Sequence, residues 1–302
     1  MSDSGDANQA AYPVPDSREE LLQALKEAEA WEREQKDLWF WEKLGRLPFA
    51  LLDRLAPKAI HRKIGQALDE IGGFIQHGGR YLVSERSILD KVKANWDGGP
   101  YEHSKTTELQ MRDMQRVPLR VMDKTADRLA SSRSAIATAQ GATTGFGGLF
   151  TLVADIPAIL GLSLKIIQEM AICYGFDPKS EEERAFAVKV LQFASSDIVG
   201  KQAVLGELTV LENGQTHALS QLQGWREAMT VYWDNFGWKK LFQAIPVAGM
   251  LFGALINRGM LQDVADTAKM LYRKRRVLER LNAATEHQEG NVQHGNGDAA
   301  TT

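Results

Sequence analysis

The sequence predicts an all-α fold, a multi-helix bundle carrying two glycine-rich apolar helical hairpin elements and at most one short β-hairpin. Three observations lead there. Two Ser-x-x-Glu capping boxes, Ser17 to Glu20 and Ser180 to Glu183, each open a run of good helix formers. Glycine and proline recur where helices of ordinary length would stop. The apolar–polar alternation of a half-buried strand is almost absent.

Taken in order, "SREELLQALKEAEAWEREQKDLWFWEKL" starts at the first capping box and runs to Gly45 and Pro48. A second helix follows Pro57 over Lys58–His77 and closes at Gly78-Gly79. Ser84–Trp96 ends at "DGGP", Ser104–Arg116 precedes Pro118, and Leu119–Thr144 runs into a glycine cluster. Asp155 and Pro157 suit an N-cap and a first helical turn, so a break is expected there, with a helix over Ile156–Tyr174 closed by Gly175. The second box opens "SEEERAFAVKVLQFASS", and Ala218–Tyr232 and Ile245–Leu281 complete the set. "AVLGELTVLENGQ", Ala203–Gln215, is the segment that could make the hairpin. Residues 1–16 and 283–302 are poor in large apolar side chains and read as disordered tails around a single helical domain, 17–282.

Composition bounds the function. The 302 residues are 44% hydrophobic and 25% charged with a net charge of -3, which suits a globular chain and argues against a dedicated nucleic-acid binder. The lone Cys173, in "MAICYGF", permits no internal disulfide and fits a reducing compartment. The N-terminus has no basic region leading into an apolar one, against a secretory signal.

Two segments stand apart. "GATTGFGGLFTLVADIPAILGLSL", Gly141–Leu164, holds one charge, Asp155; "LFQAIPVAGMLFGALIN", Leu241–Asn257, holds none. Gly141 and Gly145, and Gly249 and Gly253, are spaced four apart, which lines one helix face and lets another backbone approach. The helix ending near Gly145 is therefore expected to cross the one starting near Pro246. Flanking Lys239 and Lys240, and seven Lys or Arg against three acids over Arg258–Arg280, form a pattern that suits anionic lipid, with Arg273, Lys274, Arg275 and Arg276 as lipid-facing cations. A solvated face on a core helix explains the same pattern, and the Trp-rich stretches suit interfacial belts or a core equally.

"ATAQGATTGFGGLFTLVADIPAILGLSLKIIQEMAICYGFDPKSEEERAF" closely resembles the central signature of the EcsC family of bacterial proteins, and "IPVAGMLFGALINRGMLQDVADTAKMLYRKR" resembles its second. The likeness spans Leu38–Leu281. It implies an uncharacterised, membrane-associated protein of a family named for a gene beside an ABC transporter, and brings no catalytic residue with it.

Enzyme signatures are missing: there is no G-x-S-x-G, no H-E-x-x-H and no Walker lysine, and "TGFGGLF" lacks the third glycine of a dinucleotide fingerprint. His61, His77, His103 and His217 share no ligand spacing, so neither metal nor cofactor is expected. The best polar set is Asp155, Lys165, Gln168 and Glu169, with Tyr174, Arg184 and Asn257, in which Glu169 is expected to pair with Lys165 or Arg184. The leading expectation is a non-enzymatic, membrane-associated accessory of transport or secretion on the cytoplasmic side, meeting anionic lipid or a membrane partner such as an ABC transporter. The alternative is a soluble hydrolase-type enzyme built on Asp155, Glu169 and Asn257.

Overall fold

A computed structural model describes residues 15–35, 83–97, 108–144, 148–195, 201–202, 204–206, 208 and 248–295. For 133–144, 148–160, 195, 248–260 and 286–295 it describes the helical backbone alone. The helices expected at Lys58–His77 and Ala218–Tyr232 lie outside the described residues, as does Gly145.

The described residues contain α1 (Arg18–Glu34), α2 (Glu85–Asn95), the 3-10 turn Met111–Arg116, α3 (Leu119–Thr144), α4 (Gly148–Cys173), α5 (Glu181–Ser195) and α6 (Ala248–Gly295), further helical residues between 201 and 208, and no strand. The fold class is all-α. The region of the possible hairpin is helical at 204–206 and 208, where Val204 and Leu208, one turn apart, are both buried.

Local signals set most of the ends. At α1 the capping box is complete. The Glu20 N–H donates to the Ser17 hydroxyl at 3.2 Å, and the Ser17 N–H donates to the Glu20 carboxylate at 2.8 Å. The Ser17 N–H and the Ser17 hydroxyl, both donating to the exposed Glu20 carboxylate, hold it below its usual range. Ser84 caps α2 with its hydroxyl alone, accepting the Ser87 N–H at 3.3 Å. Gly175 closes α4 at φ +80°, with Phe176 N–H donating to the Ala171 carbonyl at 2.9 Å and Gly175 N–H to Ile172 at 3.0 Å. A Cβ there would sit 2.5 Å from an Arg276 nitrogen and 2.8 Å from the Met114 Cβ, so glycine meets both a conformational and a spatial demand.

Several boundaries depart from the sequence reading. The expected break at Asp155 does not occur: α4 starts at Gly148 and runs through Pro157, so Asp155 lies inside the helix and caps nothing. Proline removes one hydrogen bond there without ending the helix. The Ser104–Arg116 segment is a 3-10 turn from Met111, stopped by Pro118, which disfavours α geometry at Val117. α1 ends at Glu34. At the other end α6 continues past Leu281 to Gly295, into the tail that composition marks as disordered.

α4 is the central element, packing against α2, α3, α5 and α6, and from Ile166 to Tyr174 it is buried on every side. α6 lies along α3 and also touches α1, α4 and α5. Met114, Met122, Ile167, Met170, Phe193 and Tyr272 fill the space between them. Burial of such side chains contributes about 1.5–3 kcal/mol each.

Candidate functional site

The densest chemistry lies where α6 meets its neighbours between residues 269 and 280. Asp123 and Asp127 are one helical turn apart on α3, as are Lys269 and Arg273 on α6. The two pairs match: Lys269 Nζ donates to Asp127 at 2.5 Å and Arg273 Nε to Asp123 at 3.0 Å. Arg273 also donates to Glu27 at 2.9 Å and to the Ala24 carbonyl at 3.2 Å, holding α1. The Tyr174 hydroxyl completes Asp123 at 2.7 Å. Burial and the adjacent Asp123 carboxylate push the Tyr174 hydroxyl well above its ordinary range.

The remaining cations follow suit. Lys274 pairs with Glu32 at 2.8 Å. Arg275 pairs with Glu183 at 2.6 Å and stacks over Phe176 and Phe186, 4.3 and 4.8 Å from their centroids. Arg276 donates to the Tyr174 carbonyl at 2.6 Å and to Glu279 at 2.9 Å, and burial pushes its guanidinium down to about 10. Arg280 pairs with Asp16 and donates to the Val117 carbonyl at 2.7 Å, at the end of the 3-10 turn. Asp16 also accepts the first N–H of α3, from Leu119, at 2.9 Å. A residue assigned by composition to the disordered tail thus caps a helix 103 positions away.

This corrects the reading of the basic helix. Arg273, Lys274, Arg275 and Arg276 face the interior, with side chains 7–22% exposed, and each is paired with a carboxylate from another turn or helix. They are not lipid-facing. The physical reason is compensation: acids on α1, α3 and α5, and Glu279 on α6 itself, supply the counter-charges that let these cations leave water. Glu183 shows the same shift of role. Its N–H donates to Ser180 at 3.1 Å, but its carboxylate turns inward to Arg275, so the second capping box is half made. Burial raises the Glu183 carboxyl, and Arg275 only partly offsets that. The Tyr272 hydroxyl lies beside it without reaching hydrogen-bond geometry.

A groove of about 990 Å³ opens beside this ladder between α1 and the start of α3, lined by Leu22, Lys26, Pro118, Leu119, Asp123 and Arg273. Two of its charged groups are already engaged, Asp123 by Tyr174 and Arg273 by Asp123 and Glu27. Among the described residues no group of three His, Cys, Asp or Glu is placed to hold a metal. Cys173 is buried, and burial pushes its thiol far above the usual range.

Within the expected polar set, Asp155 and Glu169 are not brought together. Asp155 and Glu169 share one unbroken helix and stand fourteen residues apart, about 21 Å along its axis. Glu169 is buried in the core with Gln168. The side chains of Asp155 and Asn257 lie outside the described ones, as do the surroundings of Gly141, Gly249 and Gly253, although all three glycines are helical. The interior role of Asp123, Glu27 and Asp16 escaped sequence reading. One signal existed for part of it: acids at 123 and 127 and cations at 269 and 273 share the same four-residue spacing with opposite sign.

The EcsC protein family matches residues 22–277. The chain is 51% identical over 274 residues to the "Uncharacterized protein YdbA" of Bacillus subtilis (strain 168), covering 90% of this chain and 98% of that one. It is 31% identical over 168 residues to "Protein EcsC" of the same organism, covering 56% of this chain and 69% of that one. No solved structure matches. With most of its length matched by the family and nearly all of one relative covered, the chain belongs to the EcsC protein family.

Proposed function

We propose that this is a non-enzymatic, membrane-associated helical protein, an accessory or regulator of a membrane process such as transport or secretion. One observation carries the reading: charge is partitioned lengthwise along the long helices instead of around them. α6 has no charged residue from Ala248 to Asn257, then seven cations and three acids from Arg258 to Arg280. α4 has only Asp155 charged between Gly148 and Leu164. A helix amphipathic around its circumference suits a soluble core, whereas polarity that changes along the axis suits a body standing across an interface. The inward pairing of Arg273 to Arg276 moves the lipid contact from the basic stretch to the apolar one.

Among the described residues no helix is long and apolar enough to cross a membrane, which favours peripheral attachment. The inner face of the membrane is part of the proposal, supported by the single unpaired Cys173. Anionic lipid is the proposed partner of the apolar segments. The charged end is then left to a membrane protein such as an ABC transporter. The hydrolase alternative loses its pair of carboxylates to the 21 Å separation along α4, about fourteen residues of rise. Fractionation of cells expressing the full chain tests the reading. The protein should stay with membranes through a high-salt wash and leave with detergent, and recovery wholly in the soluble fraction at low salt overturns it.

A further inference from the structure

The ion pairs fix the relative heights of three helices. Lys269 with Asp127 and Arg273 with Asp123 make α6 antiparallel to α3, so each step up one is a step down the other. Extended along the helices, that register sets Thr144 level with residue 252. The three-residue connection reverses the chain between α3 and α4, which leaves α4 parallel to α6, and the Arg276 bond to the Tyr174 carbonyl gives the relative height of those two. That second register sets Gly148 level with residue 250. The three packed helices thus end together, with the last residue of α3, the first of α4 and the first of α6 at one end of the bundle. Only three residues join α3 to α4, which holds those two ends close.

The described parts of the two apolar segments, remote in sequence, therefore lie at one end. Its depth is set by the first cations met along each chain: Arg133 on α3, eleven residues from Thr144, and Arg258 on α6, ten from Ala248. Both lie about 15 Å from the helix ends. Within that depth Asp155 is the one charged residue of the three helices. Half of a bilayer's hydrocarbon core is about 15 Å. The arginines then fall at the height of lipid phosphates, and the ladder at Arg273 stands about 38 Å from the start of α6.

We infer that the joined ends of α3, α4 and α6 are a membrane-docking surface that enters the acyl region of one leaflet end-on, with the bundle axis near the membrane normal. This rests on the membrane reading above and names the surface that serves it. The match of apolar depth to one leaflet, closed by Arg133 and Arg258, selects lipid as the occupant. The ionic end and the groove beside α1 are held away from the membrane, toward soluble or juxtamembrane partners. Asp155, level with Asn257 on α6, opposes entry and limits its strength.

Labelling tests the inference on the full chain, since buried Cys173 with its raised thiol leaves introduced cysteines to react. Thr151→Cys, Ala248→Cys and Glu19→Cys each carry an environment-sensitive dye. They are mixed with phosphatidylcholine vesicles containing phosphatidylglycerol and acyl-chain nitroxide. Dyes at 151 and 248 should shift to the blue and be quenched while the dye at 19 does neither, and Asp155→Asn should raise vesicle partition several-fold. If the protein floats with vesicles but neither end dye is quenched, end-on docking is wrong and membrane association through another surface survives. If the end dyes are already blue-shifted without vesicles and indifferent to them, the end is covered by protein and the inference falls. If nothing floats, the proposed function falls with it.

Discussion

Two stretches of α6 differ in the chemistry they offer their neighbours. From Lys269 to Arg280 the helix is fastened by side chains: six cations reach acids on α1, α3, α5, α6 itself and the N-terminal segment. From Ala248 to Asn257 no residue is charged, so no ion pair can fasten the helix there. An ionic end is specific but intolerant, because removing one partner strands the other in a dry site. An apolar end is tolerant of chemistry and intolerant of volume. The contrast teaches that Lys and Arg density alone is a poor guide to a lipid-binding face when neighbouring helices carry the counter-charges.

The sharpest way to break this comparison is at Arg280, whose guanidinium serves Asp16 and the carbonyls that close the 3-10 turn. Arg280→Ala should destabilise by about 3–5 kcal/mol, because a buried carboxylate loses its counter-charge. Urea denaturation measures it, and a loss under about 1 kcal/mol would mean the ladder is ornamental. Gly175→Ala comes next. A side chain at φ +80° that also meets Arg276 and Met114 should lower stability by about 2–4 kcal/mol, combining backbone strain with overpacking.

At the apolar end the corresponding test is Gly249→Leu. If the glycines sit at the α3–α6 crossing, overpacking should remove about 1–3 kcal/mol. A melting temperature equal to wild type shows that they do not cross there. Smaller again is the coupling between Lys274 and Glu32, which a double-mutant cycle should place near 1 kcal/mol, since both side chains are mostly covered. A lipid-facing Lys274 would show no coupling.

The smallest effect concerns pH. Glu183 has its carboxyl raised in the folded state, chiefly by burial. Between its raised value and the ordinary 4.5 the folded state binds more protons than the unfolded one, so stability from this group grows as pH falls through that window. Glu183→Gln should remove that growth. Denaturation midpoints of the two proteins, compared from neutral pH down to about 5, read it directly. Equal slopes would place Glu183 in contact with water.

Residues near one another in sequence settled what sequence reading could reach. Ser17 and Glu20 cap α1 from three residues away, and Gly175 ends α4 because φ +80° suits glycine and little else. The helical class, the apolar segments and the family likeness needed no more than the order of residues. Tertiary structure alone decided where the charges go. Asp16 meets Arg280 across 264 positions and Arg273 meets Asp123 across 150, and both depend on the rotation of each helix about its axis. A cation pattern on one helix looks the same whether it faces lipid, water or an acid on a neighbour. Only packing, by supplying or withholding a counter-charge, selects among the three, and here it turned Arg273 to Arg276 inward.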